Sequence, residues 1–193
     1  MKALQWSGLF LGLVAMASPP LSAKQGLIKE EPERRVTGRA QMGGSPSERI
    51  MVARYALQPA GSVTVDNIQG DISVEAWDRA EAEVAVVKQA ISATANPDDV
   101  HIDVAVDGRK LALRTLYPKQ SEEPVRVTYR LRVPRQVRLE RLRTVVGSIR
   151  VRDIEGNVDA RTLNGSIEGV NLTGGVVARV INGNIAVSMR ALP

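Results

Sequence analysis

The sequence predicts an all-β fold, a β-solenoid-like stack of nine-residue units with additional longer antiparallel strands. The first observation is a regular glycine spacing, because Gly147, Gly156, Gly165, Gly174 and Gly183 follow one another at intervals of nine residues. The second is the strict alternation of apolar and polar residues in the middle of the chain, which is typical of half-buried strands. The third is that aromatic residues make up only 3% of the 193 residues. Val, Ile, Leu and Ala must therefore fill the core, which suits thin β layers.

Residues 1–23 have the order of a secretory signal peptide. Lys2 precedes an apolar run, and small residues and prolines follow that run. Cleavage is expected after Ala17 or after Ala23. The apolar run is shorter than the roughly 20 residues that a membrane-spanning helix needs. We therefore expect an exported chain in the periplasm, the cell envelope or the extracellular space.

The remainder of the chain divides into a linker and one domain. Residues 24–48 are polar, charged and bear Gly, Pro and Ser without a sustained apolar period, which is typical of a linker. From residue 49 to residue 193 the pattern changes to short β-type runs punctuated by glycines. This length fits a single β-strand-repeat domain.

Each glycine-initiated unit carries apolar or small residues at fixed positions. Positions two and four after the glycine lie on one face of a strand, because successive side chains alternate. Position seven is also apolar, which requires a turn that brings the chain back toward the core. The same template starts upstream at Gly61 and Gly70. Alternate units are the most alike, so we expect coils of about eighteen residues with two strands each, whose stacking buries a continuous apolar face. The residues at position seven of the later units are Ile154, Leu163, Leu172 and Ile181.

Longer strands are predicted between the two repeat blocks. Residues 100–106 alternate, Asp107-Gly108 is a hairpin turn signal, and residues 111–115 continue beyond it. Residues 125–133 alternate strictly. Residues 81–94 are ambiguous between strand and helix, although the run EVAVV favours a strand.

These pieces together resemble a known family. The segments GSVTVDNIQGDISVEAWDR, VTYRLRVPRQVRLE and GSIRVRDIEGNVDARTLNGSIEGVNLTGGVVARVINGNI follow one another along the chain. In spacing and order they resemble the bacterial putative-adhesin family of β-strand-repeat proteins, also called toast-rack solenoids, over about residues 49–193. The resemblance implies a β-solenoid-like fold and an envelope or extracellular setting. It supplies no catalytic motif.

The residues that catalysis and metal binding use are scarce. The chain has no cysteine, which excludes disulfides, thiolate metal sites and cysteine nucleophiles. His101 is the only histidine, so a histidine metal site or a serine-type triad lacks its parts, and we interpret His101 as a strand residue. Most repeat units lack the multiple glycines and regular aspartate of calcium-binding β-rolls. We expect no catalytic residues, no metal and no cofactor.

The candidate binding site is a basic stretch between residues 126 and 152, which holds nine arginines against Glu140 alone. On the predicted strand, Arg126, Arg130 and Arg132 share one face. They are predicted to form an anion-binding or partner-binding face for an envelope protein, an acidic glycan or an anionic lipid surface. The alternative is a solvated face that keeps the sheet soluble. Nucleic acid is not an expected partner, because export removes the chain from it and few aromatic side chains are present for stacking.

The sequence therefore predicts a non-enzymatic exported envelope protein, which is a structural, interaction or adhesin-like module. Two alternatives stay open. A glycan-active enzyme on a β-helix would need paired carboxylates or a metal cluster along one groove. For an accessory protein of envelope-stress signalling, the sequence offers only the export signal and the linker. An unpaired last strand near residues 185–187 predicts self-association.

Overall fold

The computed structural model describes residues 41–45, 47–118 and 125–191, which form two β-sheets. The expected signal peptide, residues 1–23, and most of the expected linker lie outside the described residues. In this described part, the 3₁₀ turn Pro97–Asp99 is the only helical element. The strands are β1 (Gln41–Gly43), β2 (Glu48–Ala56), β3 (Ser62–Asp66), β4 (Ile72–Trp77), β5 (Glu81–Ala90), β6 (His101–Val106), β7 (Lys110–Leu116), β8 (Val125–Pro134), β9 (Arg138–Val146), β10 (Ile149–Arg152), β11 (Val158–Asn164), β12 (Ile167–Leu172), β13 (Val176–Asn182) and β14 (Ile185–Met189).

The two sheets are open and mixed. The larger sheet has the order β1-β2-β5-β8-β4-β10-β12-β14, and the smaller has the order β13-β11-β9-β3-β7-β6. Antiparallel pairing joins β1, β2, β5 and β8 in the larger sheet and β6 with β7 in the smaller one. The other neighbours are parallel. The all-β class predicted from the sequence is therefore confirmed, in the form of two mixed sheets.

The parallel strands reproduce the spacing of the sequence repeat. Ile149 of β10 lies beside Ile167 of β12, which lies beside Ile185 of β14. In the smaller sheet Val158 of β11 lies beside Val176 of β13. Each of these steps is eighteen residues, so consecutive nine-residue units alternate between the two sheets. Each strand thus pairs with the strand two units away.

The middle of the chain forms the strands that the alternation predicts. The ambiguous segment 81–94 begins with β5, which pairs antiparallel with both β2 and β8. β6 and β7 form the expected hairpin. Its turn is stabilised by Asp107, whose Oδ1 accepts hydrogen bonds from the backbone nitrogens of Arg109 (2.9 Å) and Lys110 (2.6 Å), while Gly108 adopts a φ of 82°. These bonds lower the pKa of the Asp107 carboxyl.

The core lies between the sheets and is built from positions two and four of the units. Ile72, Val74, Ile149 and Val151 are at most 1% exposed. Strand alternation directs these side chains to the same side of the larger sheet. The two inner faces together bury a continuous apolar layer.

Position seven departs from the prediction that it points inward in every unit. Ile154 is buried, whereas Leu163 and Ile181 are 38% and 73% exposed. The difference comes from the preceding residue. Asp153 and its counterpart Asn171 have φ values of 58° and 56°, and this left-handed conformation reverses the alternation so that the next side chain points inward. β11 and β13 have no such residue, so their position seven stays on the outer face.

A column of glycines, one before each of the strands β10, β12 and β14, sets the distance between these parallel neighbours. Gly147, Gly165 and Gly183 have φ values of 151°, 152° and 147°. A Cβ atom on Gly165 would overlap the backbone carbonyl of Gly147, and one on Gly183 would overlap that of Gly165. Only glycine fits this conformation and this backbone approach.

We expect Gly165→Ala to lower the free energy of unfolding by about 2–4 kcal/mol, because it combines a strained φ with a clash against backbone. Gly175→Ala is the matched control in the same repeat block, since the added Cβ would meet only the Asn157 side chain at 3.4 Å. It should cost less than about 1 kcal/mol. Urea unfolding measures both. Equal losses in the two variants would contradict a role for the glycine column.

A buried hydrogen-bond network ties the two sheets together. Thr115 Oγ1 of β7 donates to Asn67 Oδ1 at 2.9 Å and lies 2.7 Å from the Tyr129 hydroxyl of β8. Since the single Thr115 hydroxyl hydrogen is used, Tyr129 donates to Thr115. The Asn67 side-chain amide donates to the carbonyls of Val127 (2.8 Å) and Gly70 (3.2 Å). The buried side chains of Asn67, Thr115 and Tyr129 thus have hydrogen-bond partners that link the two sheets.

Stability should fall in alkaline solution, because burial raises the pKa values of the buried Tyr55 and Tyr129 and of the half-buried Tyr117. Burial raises the pKa of Tyr129, and it raises the pKa of Tyr117 to about 12. An unfolded tyrosine has a pKa of about 10, so the folded state opposes ionisation. The contribution of these un-ionised tyrosines to the free energy of unfolding is complete below a pH of about 10, and it is lost as the pH rises through their folded pKa values. We expect the free energy of unfolding to fall over this interval and to fall less steeply in Tyr117→Phe, measured by urea unfolding at successive pH values. An unchanged slope in the variant would contradict this assignment.

Candidate functional site

The three arginines singled out in the sequence lie on the outer face of the larger sheet. Arg126, Arg130 and Arg132 occupy alternate positions of β8, between β5 and β4, and all three are exposed. The period of two along a strand places their side chains opposite the buried Val127, Tyr129 and Leu131. Their role in binding stays a prediction.

Two further arginines belong to the same face. Along one row, Ser73 of β4 lies between Arg130 of β8 and Arg150 of β10, and along the next row Glu75 separates Arg132 from Arg152. Arginines of one row are thus two strands, or about 10 Å, apart. We call the five residues the outer arginine face: Arg126, Arg130, Arg132, Arg150 and Arg152. The units that begin at Gly70 and Gly147 share one template, which was the sequence signal that their strands, β4 and β10, lie side by side.

Carboxylates compensate part of the outer arginine face. Glu83 forms ion pairs with Arg132 at 3.5 Å and with Arg54 at 2.8 Å. Arg150 lies within 3.6 Å of Glu168. These pairs are exposed and contribute little to stability. In the described part of the chain Arg126 and Arg130 form no ion pair, so these two guanidinium groups are the ones best placed to receive an external anion. Arg150 also lies 3.8 Å from Asp71, and Arg152 lies 4.0 Å from Glu168.

The basic stretch of the sequence does not form a single patch. Arg138, Arg141 and Arg143 lie on β9 of the smaller sheet, with their side chains exposed. The outer faces of the two sheets point away from each other, because the core lies between the sheets. The sequence therefore overstated the local charge of the face formed by β8.

A slot of ≈ 300 Å³ opens where β2 and β5 of the larger sheet face β6 of the smaller one. Among its lining residues, Arg49 and Asp98 form a bidentate ion pair, in which Arg49 Nε and Nη2 each lie 3.0 Å from the Asp98 carboxylate. The Lys88 ammonium donates to the Val100 carbonyl at 2.9 Å. Burial lowers the pKa of Lys88. The charged side chains that line the slot thus have partners among its lining residues.

No catalytic or metal-binding cluster emerges from the residues that the structure describes. Among them, no three His, Asp or Glu side chains come together as a metal site requires. His101 is an exposed residue of β6, opposite Leu116. Across residues 41–45, 47–118 and 125–191, no helix is long and apolar enough to span a membrane.

The chain is similar to several solved structures at low sequence identity. A "putative cell adhesion protein" from Clostridium sporogenes is 10% identical over 76% of this chain and 100% of that chain, with a TM-score of 0.46. A "putative lipid binding protein" from Parabacteroides distasonis is 13% identical over 70% of this chain and 59% of that chain, with a TM-score of 0.33. A "putative adhesin" from the same organism is 10% identical over 70% of this chain and 66% of that chain, with a TM-score of 0.32.

At TM-scores of 0.46, 0.33 and 0.32, these similarities carry no conclusion about the function or the ligands of this chain. No family profile matches the chain. No curated protein matches it either.

Proposed function

We propose that the chain is a non-enzymatic, exported envelope module of the adhesin-like kind, and that its outer arginine face binds an acidic glycan. The observation that carries the proposal is the grid of exposed arginines on β8 and β10, the two strands that flank β4 in one sheet. Of these arginines, Arg126 and Arg130 have no carboxylate partner in the described residues. Guanidinium groups bind carboxylates and sulfates through paired hydrogen bonds. Export rests on the signal-like sequence of residues 1–23.

The chemistry of this face favours a polar polymer. At the centre of β8, β4 and β10 the outward side chains are Arg, Ser, Thr and Glu, and Trp77, a large apolar side chain on the same face, lies at the end of β4. A flat sheet offers regularly spaced contacts, and the separation of about 10 Å between arginines of one row suits a polymer that carries an acidic group on successive sugars. Many weak contacts of this kind add up to useful avidity.

We further infer that the C-terminal half is a β-solenoid. The supporting observations are the eighteen-residue register between β10, β12 and β14, the same register between β11 and β13, and the glycine column. The sheets stay open, so the inference concerns the winding of the chain rather than a closed helix. This winding fits the family that the sequence resembles.

The glycan proposal predicts that a soluble polyuronate binds the full chain and that neutral dextran does not. Arg126→Ser/Arg130→Ser/Arg132→Ser should weaken binding at least tenfold, and added salt should weaken the wild type in the same way. Isothermal titration calorimetry provides the measurement. The matched control is Arg143→Ser/Arg161→Ser/Arg179→Ser, which removes the same charge from the opposite face and should retain binding. Equal losses in the two triple variants would reject the proposal in favour of unspecific attraction.

We propose self-association through β14 as a separate property. In the described residues β14 pairs only with β12, and its inward-facing Ile185 and Val187 are 49% and 39% exposed. An unpaired strand with apolar neighbours is a ready template for another strand. A two-fold arrangement would join two such edges and close the assembly.

Sedimentation velocity over a concentration series should show a dimer that dissociates on dilution. Ile185→Lys/Val187→Lys should sediment as a monomer, because two charges would enter the interface. Ile91→Lys is the control, since Ile91 is exposed to a similar degree, 45%, at a site away from β14. A wild type that is monomeric at every concentration would exclude this association.

A further inference from the structure

The outer face of the smaller sheet carries a row of exposed apolar side chains near the ends of its strands. Ile68 accepts a backbone hydrogen bond from Val145 at 3.1 Å. Val145 lies in register with Leu163, and Leu163 with Ile181. Leu116 lies two residues beyond Arg114, the partner of Asp66, and therefore continues the row beside Ile68. We call these five residues the apolar row: Leu116, Ile68, Val145, Leu163 and Ile181.

Four members of the apolar row, Leu116, Ile68, Leu163 and Ile181, are 44%, 47%, 38% and 73% exposed, and Val145 is half-buried. Single exposed apolar residues are common, but a contiguous series on four strands and the bend after β3 marks an interaction surface. At about 4.8 Å between strands, the row is about 20 Å long.

A second row runs parallel to the first, two residues earlier on each strand. It holds Arg114 of β7, Asp66 of β3, Arg143 of β9, Arg161 of β11 and Arg179 of β13. We call its four cations the arginine row. Two residues of a strand span about 7 Å, so the two rows form adjacent apolar and basic stripes on one flat face.

Three members of the arginine row lie directly beside one another, which is unfavourable without compensating anions. Asp159 contacts Arg161 at 2.6 Å, and Asp66 lies 4.0 Å from Arg143. Arg179 forms no ion pair within the described residues. On β6, the edge strand of the smaller sheet, Asp103 lies opposite Arg114. The internal carboxylates thus compensate the row only in part, and β13, where Ile181 is the most exposed apolar side chain, is the least compensated strand.

We propose that this face docks on the surface of an anionic phospholipid bilayer. The apolar row enters the boundary between headgroups and acyl chains, and the arginine row contacts the lipid phosphates. With the strand ends tilted toward the bilayer, the apolar row lies up to about 7 Å deeper than the arginine row, within the roughly 5–10 Å to which surface-seated apolar groups penetrate. Basic residues near such a surface are attracted by anionic lipids. A glycan would leave the apolar row uncovered, so the pairing of the two stripes favours lipid.

This inference goes beyond the glycan proposal, because it concerns the opposite face and another class of partner. The two can fail independently: glycan titration probes Arg126, Arg130 and Arg132, whereas vesicle binding probes the smaller sheet. The triple variant at residues 126, 130 and 132 tests glycan binding and is the control for vesicle binding. The triple variant at residues 143, 161 and 179 is the control for glycan binding and tests vesicle binding.

Co-sedimentation of the full chain with phosphatidylcholine vesicles, with and without phosphatidylglycerol, tests the proposal. The wild type should bind only the anionic vesicles. Arg143→Ser/Arg161→Ser/Arg179→Ser should lower the partition coefficient roughly 100-fold, and Leu163→Ser/Ile181→Ser should lower it at least tenfold. Arg126→Ser/Arg130→Ser/Arg132→Ser, which removes the same charge, should bind like the wild type. Failure of the wild type to bind anionic vesicles at low salt, or equal losses in both triple variants, would overturn the proposal.

A site-specific probe distinguishes insertion from remote attraction. Because the chain has no cysteine, Ile181→Cys takes a single polarity-sensitive dye. Its emission should shift to the blue on addition of anionic vesicles, whereas the same dye at Ser73→Cys, on the opposite face, should not respond. A blue shift at position 181 that appears with protein concentration alone, without vesicles, would assign the apolar row to a second copy of the chain and overturn the lipid assignment.

Discussion

The close approach of backbone to backbone at the glycine column is the constraint on which the repeat part of the structure depends. Gly165 leaves no room for a side chain between its own Cα and the carbonyl of Gly147. Repeat units eighteen residues apart can therefore pair at the spacing of β-strands, with the Gly165 backbone nitrogen donating to the Asn182 carbonyl at 2.9 Å. Once this spacing is fixed, equivalent residues of these units must lie side by side. The core layers and both outer rows follow from that requirement.

The in-register stacking has opposite consequences inside and outside the sheets. Inside, it places Ile149 beside Ile167, where like side chains pack well. Outside, it places Arg143 beside Arg161 and Arg179, where like charges repel. The larger sheet avoids this repulsion by inserting Ser73 and Glu75 between arginines. The smaller sheet does not, so the two outer faces differ in how closely their arginines are spaced.

Local periodicity predicted the strands well, because their side-chain alternation depends only on neighbours in sequence. The hairpin at Asp107-Gly108 and the common face of Arg126, Arg130 and Arg132 both follow from it. Position seven was predicted wrongly for Leu163 and Ile181. The side chain at this position points inward only where a left-handed residue, Asp153 or Asn171, precedes it, and a template common to all units does not distinguish the units that have such a residue. The arginine row was also missed. Its members are far apart in sequence, and predicting that they lie side by side requires knowing which strands pair. Composition alone does not reveal this pairing, because the basic stretch between residues 126 and 152 is divided between two sheets.

The two sheets lie back to back, so the two outer faces look in opposite directions across a core whose thickness is that of one sheet packing, about 10 Å between backbones. This separation is a property of the side chains in the core and is independent of the number of repeat units. Adding two nine-residue units to such a stack would add one strand to each sheet and widen both outer faces equally. The distance between the two outer faces would thus stay constant, while the width of each face would grow in steps of one strand, about 4.8 Å.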